Sequence, residues 1–160
     1  MSATGLGVFD KTIQTTNIWL DDIMDVIGPG RHTAWHVLGA TLRALRDRLT
    51  VDQAAHLGAQ LPILIRGLYY DQWHPAAMPS RERKLDDFLA HVGDGLRDTR
   101  PVNLREAVET VFRVLASHIA KGQADKVAGE LPAEIRALWP SEAQRAAGVE
   151  PVAAELERAT

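Results

Sequence analysis

The sequence contains no cysteine among its 160 residues. Without thiols the chain cannot form disulfides, thiolate zinc sites, iron–sulfur ligation or a cysteine nucleophile. This composition also fits a reducing compartment, and we predict a cytoplasmic location. Serine is scarce, and none of the four stands in a nucleophile-elbow pattern; they are Ser2, Ser80, Ser117 and Ser141. We therefore predict no catalytic residues, and we lean against an enzyme.

The chain also lacks a basic excess and a long apolar run. Its formal net charge is -3, with acidic and basic residues interspersed, which argues against a general nucleic-acid binder. The longest apolar stretch, residues 61–68, is broken by Pro62, Arg66 and Gly67. It falls far short of the roughly 20 residues of a membrane span. The N-terminus has no secretory signal pattern. We expect neither a nucleic-acid nor a membrane partner.

Apolar residues recur at spacings of three and four, which predicts an all-α helical bundle. The first stripe should face the core and ends at Gly28-Pro29-Gly30; its members are Phe9, Ile13, Thr16, Leu20, Ile23 and Ile27. Thr50 and Gln53 have capping-box spacing. A break at Leu61-Pro62 should start a short helix that reaches about Tyr69. Ser80 is the predicted cap of a helix that carries Phe88.

Shifting the sequence by 70 aligns two stretches without a gap, one starting at Thr41 and the other at Val111. Identical pairs include Arg43/Arg113, Leu61/Leu131, Pro62/Pro132 and Arg66/Arg136. We predict one helical domain over 1–140, built from two tandem modules at about 8–70 and 80–140. The modules should be related by pseudo-twofold symmetry, each with a Leu-Pro break before its last short helix. The tail, 141–160, should be a short helix or disordered.

This repeat sorts residues by expected role. Residues present in both copies should serve the fold, and residues present once mark places where a site could have been added. The arginine pairs could bind anions through their guanidinium groups. Because Arg66 and Arg136 occur in both copies, we favour a structural device that binds carbonyls freed by the Leu-Pro break.

The segment from Tyr69 to Pro75, which we call the aromatic elbow, occurs in one copy only. Its candidate ligand- or partner-binding residues are Tyr69, Tyr70, Asp71, Trp73 and His74. Tyrosine and tryptophan are enriched at binding hot spots. The alternative is that the aromatics anchor the inter-module loop on the core while Asp71 and His74 are solvated.

Other polar groups are weaker candidates. His32 and His36 lie four apart, so they could share one helix face and hold a divalent metal. A third ligand would have to be Asp71 or His74, and we predict no metal and no cofactor. His91 and His118 are expected to be hydrogen-bonded or exposed instead of catalytic.

Two charged groups are expected to be solvated helix faces. One is the basic group of Arg43, Arg46 and Arg48, which the helical period spreads around the helix. The other is the acidic group Asp21, Asp22 and Asp25, on the side of the first helix away from most of the apolar stripe.

The stretch LPILIRGLYYDQW and its surroundings resemble an uncharacterised bacterial family catalogued as domain of unknown function 2267. The features that carry the resemblance are Leu61-Pro62, Arg66-Gly67, Tyr69-Tyr70, Trp73, Pro75, Pro79, Arg83, Phe88-Leu89 and Leu131-Pro132. The resemblance covers most of residues 8–140. It implies a helical duplication and an association with stress-response modules, but no activity.

Two functions remain open from the sequence. The first is an interaction or scaffold protein that binds a protein partner, or itself, through the inter-module surface and the aromatic elbow. The alternative is a small-ligand or metal-binding helical protein with a pocket at the elbow.

Overall fold

The structure, a computed structural model, describes residues 2–141 and confirms an all-α bundle. Within these residues there are eight α-helices, a 3-10 turn at Pro75–Ala77 and no strand. The helices are α1 Gly7–Ile27, α2 Arg31–Arg48, α3 Val51–Ala59, α4 Ile63–Tyr70, α5 Leu85–Asp94, α6 Leu104–His118, α7 Lys121–Glu130 and α8 Ala133–Arg136. The prediction for the tail concerns residues outside this range, apart from Ser141.

Several helix ends follow the sequence signals. Thr50 Oγ1 accepts from the Gln53 amide at 3.3 Å, and Gln53 Oε1 accepts from the Thr50 amide at 3.2 Å, which confirms the capping box. Gly28 ends α1 with φ 103°, a conformation that suits glycine. The Leu-Pro break is confirmed in both halves, because Pro62 immediately precedes α4 and Pro132 immediately precedes α8.

The core lies between α2 and α6, which pack against each other. Two thirds of α2 is buried, because α1, α4 and α5 also pack on it. The largest fully buried side chains come from both halves of the chain and include Trp19, Tyr69, Phe88 and Phe112. Burial of apolar area on this scale is the main force that holds such a bundle together.

The helix contacts fit the predicted duplication. Helices α2 and α6 pack together, as do α3 and α7; α1 packs on α6 as α5 packs on α2, and α1 packs on α4 as α5 packs on α8. Exchanging α1–α4 with α5–α8 therefore maps this set of contacts onto itself. The packing of α4 on α2, by contrast, has no counterpart of similar extent between α8 and α6. The pseudo-twofold axis and the duplication therefore remain predictions.

The shared arginines Arg66 and Arg136 have the same role in both halves. Arg66 Nη2 donates to the carbonyls of Leu61 at 2.9 Å and Ala59 at 3.3 Å. Arg136 Nη2 donates to Leu131 at 2.7 Å and to the carbonyl of residue 129 at 3.2 Å. All four acceptors lie at the Leu-Pro breaks, seventy residues apart. The predicted structural device is confirmed.

Two predictions about the helices α1 and α5 are wrong. Ser80 does not cap a helix, because α5 begins at Leu85; the Ser80 amide instead donates to the carbonyl of Asp47 at 2.6 Å. Phe9 and Ile13 are not core residues, since they are 54% and 41% exposed. The first buried residue of α1 is Thr16, so the apolar stripe continues beyond the part of α1 that the bundle covers.

Within residues 2–141, no helix combines the length and the apolar character that crossing a membrane would require.

Candidate functional site

Tyr69 anchors the aromatic elbow in the core. It is fully buried, and its hydroxyl donates to the carbonyl of Ala54 in α3 at 2.7 Å. Burial raises the pKa of its phenol well above the usual range, and the neighbouring Tyr70 adds to that shift. Tyr69 therefore fixes the end of α4 and offers no accessible surface.

Tyr70 and Trp73 continue from Tyr69 as a half-buried row of rings. The ring centroids of Tyr69 and Tyr70 are 5.0 Å apart, and those of Tyr70 and Trp73 are 5.4 Å apart, which is the usual range for aromatic pairs. Tyr70 lies directly over Gly58 of α3, where a Cβ would collide with its ring. The indole N–H of Trp73 is buried and has no hydrogen-bond partner among the described residues.

The exposed part of the elbow is small. Asp71 and His74 are exposed, and the chain turns between Asp71 and Trp73 at Gln72, whose φ is 61°. This conformation is uncommon for a residue other than glycine. The elbow thus presents one carboxylate and one imidazole beside the edges of two aromatic rings, held on a rigid support.

Arg46 provides that support. The prediction that Arg46 lies on a solvated face is wrong. Arg46 is only 3% exposed. Its Nη1 donates to the carbonyls of Tyr69 and Asp71, both at 2.8 Å, and its Nε donates to Asp47 Oδ1 at 2.8 Å. The guanidinium thus binds both sides of the turn that opens the elbow, a geometry suited to its planar fork.

The neighbours Arg43 and Arg48 are also not on a solvated face, since both are half-buried. Burial is the main cause that lowers the pKa of each guanidinium, with opposing contributions from Asp71 near Arg43 and from Glu82 near Arg48. The prediction failed because α1, α4, α5 and α6 all pack on α2, so this part of α2 has no fully solvent-exposed face.

Asp47 extends this support into the inter-module loop. It is buried, and its Oδ2 lies 3.5 Å from His91 Nε2; Glu82 Oε1 lies 2.9 Å from the other ring nitrogen of His91. The amide of Ser80 adds the hydrogen bond to the Asp47 carbonyl. His91 is therefore hydrogen-bonded, as expected, and the network fastens the loop between α4 and α5 onto α2.

Sequence reasoning missed this network. A weak signal was available for Arg46 alone, because Leu42, Leu45 and Leu49 all lie within about 100° of it on one side of the helix. A charged side chain at the border of an apolar face needs partners when neighbouring elements cover it.

His32 and His36 share one face of α2, as their spacing predicts. Their Nε2 atoms are 3.0 Å apart and their rings meet edge to face at 4.3 Å. Residues 2–141 contain no group of three or more His, Asp or Glu side chains that could hold a metal ion. The structure therefore does not bring Asp71 or His74 to this pair as a third ligand.

The acidic group on α1 is divided between solvent and the second half of the chain. Asp21 is exposed and pairs with Arg31 at 3.2 Å. Asp22 Oδ2 lies 3.0 Å from Nε2 of His118 in α6, and the His118 ring stacks on Trp19 at 4.9 Å. The prediction of a solvated face is thus correct for Asp21 and Asp25, which are exposed. It is incomplete for Asp22, which links α1 to α6.

The structure also exposes a surface that the sequence did not suggest, which we call the N-terminal apolar patch. Its six large apolar side chains are between 41% and 58% exposed; they are Leu6, Val8, Phe9, Ile13, Ile63 and Leu64. The Leu64 amide donates to Thr12 Oγ1 at 3.3 Å. This bond places the first turn of α4 beside the second turn of α1, so the two groups of side chains are neighbours.

A shallow open groove of about 500 Å³ runs along the outer side of α1, with Ile13 and Ile18 among its lining residues. Its polar lining includes Asp10 and Asp21. The aromatic elbow is not part of it. Asp10 is already occupied, because Thr4 Oγ1 donates to it at 2.8 Å and the Ser2 hydroxyl also binds it; these bonds lower the pKa of its carboxyl.

Comparison with known families matches residues 16–138 to the family model described as "Uncharacterized conserved protein (DUF2267)". The match covers more than three quarters of the chain. This chain belongs to the DUF2267 family. No curated protein matches it. The DUF2267 match begins at Thr16, the first buried residue of α1, so the part of the apolar patch on α1 precedes the matched range.

Proposed function

We propose that this DUF2267 protein is a non-enzymatic interaction or scaffold protein that binds a protein partner or a second copy of itself. The observation that carries this proposal is the N-terminal apolar patch. Most of the large exposed apolar side chains of the described residues lie at this one place. Apolar patches of several hundred Å² commonly mark interaction sites.

The aromatic elbow remains a second candidate surface in this proposal. Tyr69 and Arg46 hold it rigidly, and a rigid aromatic surface loses little conformational entropy on binding. Asp71 and His74 would supply polar contacts at its rim. The alternative of a small-ligand or metal site at the elbow would have to use Asp71, His74 and the indole N–H of Trp73, because the donors of Tyr69 and Arg46 are already bound to backbone carbonyls.

We further propose that the protein is bacterial, cytoplasmic and associated with stress responses. The cysteine-free composition supports the compartment, and the family resemblance supports the other two.

Photo-crosslinking in the cells that produce the protein tests the proposal. A benzophenone amino acid replaces Phe9 in the patch, His74 at the elbow, or Ile18, which is 48% exposed on α1. Phe9 and Ile18 lie nine residues apart, about 180° around the helix. We expect a discrete covalent protein adduct from position 9, because the patch should be covered by a partner.

Position 18 is the matched control, and it should give no discrete adduct. An adduct from position 74 would add the elbow to the interface. The proposal fails if positions 9 and 74 both give no more adduct than position 18.

A further inference from the structure

We infer that the N-terminal apolar patch pairs with the same patch on a second copy of this chain to form a twofold-symmetric dimer. The inference rests on the proposed function and names the partner. In a twofold interface each copy contributes the same surface, so the patch must complement itself in area, charge and shape.

The area is sufficient. Six side chains of this size, about half exposed, leave on the order of 500 Å² of apolar surface on each copy. Pairing two patches would bury on the order of 1,000 Å², the lower limit for a specific protein interface. A smaller apolar area would not support a stable dimer.

The charge distribution also favours a second copy. The six patch side chains carry no charge, so two patches would not repel each other. The helical period turns Asp10 and Lys11 to opposite flanks of the stripe, and the Asp10 carboxylate is bound by Ser2 and Thr4. An uncharged patch does not require a partner that carries the opposite charge.

The shape suits a packing of helices. The patch joins the first two turns of α1 to the first turn of α4, and Phe9 is its largest side chain. The α1 stripe of the patch prolongs the stripe that is buried from Thr16 onward. From Thr16 onward, α1 packs against the other helices of the bundle. Before Thr16, a second copy of α1 would supply the same kind of helix packing.

Sedimentation velocity of the purified full chain, from about 1 to about 100 µM, tests this inference. Wild type should show a reversible monomer–dimer equilibrium. Phe9→Ser should weaken dimerisation by at least about tenfold, because large aromatic side chains dominate such interfaces. Ile63→Ser on α4 should also weaken it, and Ile18→Ser should leave it unchanged.

Circular dichroism should show the same helix content in all variants, since every changed side chain is exposed. A wild type that stays monomeric over the whole range would overturn the inference, as would equal weakening by Phe9→Ser and Ile18→Ser. A monomer whose position 9 crosslinks to a different protein would refute self-pairing and leave the proposed function standing. A monomer without crosslinks would remove both.

Discussion

Arg46→Ala is expected to lower the free energy of unfolding by about 3 kcal/mol, because removing one partner leaves a buried charge uncompensated. The carboxylate of Asp47 would lose its closest cation, and the carbonyls of Tyr69 and Asp71 would lose their shared donor. Urea unfolding followed by circular dichroism measures this effect as a lower midpoint with an unchanged slope.

Two variants control this measurement. Arg46→Lys keeps the charge but has no planar fork, so we expect it to recover only part of the loss. Arg97→Ala removes an arginine whose side chain is 77% exposed and should change the unfolding free energy by less than about 0.5 kcal/mol. If Arg46→Ala costs no more than Arg97→Ala, Arg46 does not hold the elbow in place.

Gly58→Ala and Gly67→Ala are expected to change stability in opposite directions. A Cβ at Gly58 would overlap the Tyr70 hydroxyl oxygen and lie 2.5 Å from its Cζ, so the ring would have to leave its place between α3 and Trp73. Overpacking of this kind costs about 1–3 kcal/mol. A Cβ at Gly67 meets nothing within 4 Å, so Gly67→Ala should stabilise α4 by about 0.5–1 kcal/mol.

Thermal unfolding of the two variants beside wild type provides the measurement. Both glycines lie inside helices, so both substitutions gain helix propensity. The difference between the two changes in stability therefore reports the contact between residue 58 and Tyr70. Equal stabilisation by the two substitutions would show that Tyr70 does not rest on Gly58.

The local features of this fold could be predicted because each depends on residues close together in the chain. The capping box at Thr50, the stop at Gly28 and the Leu-Pro breaks all act over a few residues. The shared role of Arg66 and Arg136 could be predicted because the sequence supplied two copies for comparison.

The remaining features depend on which surfaces meet. Phe9 and Ile13 have the same helical spacing as the buried residues of α1, and no local signal shows that the bundle covers α1 only from Thr16. Arg46 looks like a surface residue in the sequence. It is buried because the loop after α4 packs against the end of α2. Ser80 failed as a cap because that loop runs on to Lys84 before α5 begins.

Of the two candidate surfaces, the sequence predicted the aromatic elbow and not the N-terminal apolar patch. The elbow could be singled out because it occurs once. Tyr69, a candidate binding residue, is instead a buried anchor, as the alternative interpretation had it, and Asp71 and His74 are exposed. The N-terminal apolar patch could not be found, since its two parts are about fifty residues apart and meet only through the packing of α4 on α1, where the bond from Leu64 to Thr12 lies.

Cysteine labelling inside intact cells tests the central claim, that the patch is covered by a protein, most directly. The chain has no cysteine, so Ile13→Cys and Ile18→Cys each create a unique thiol at isoleucines of similar exposure on different sides of α1. A permeant maleimide should label position 18 readily and position 13 slowly, and dilute purified protein should lose that difference. Equal rapid labelling of both positions in cells would contradict the claim. Equal protection of both positions would also contradict it as stated, because the covered surface would then be the groove that Ile13 and Ile18 both line.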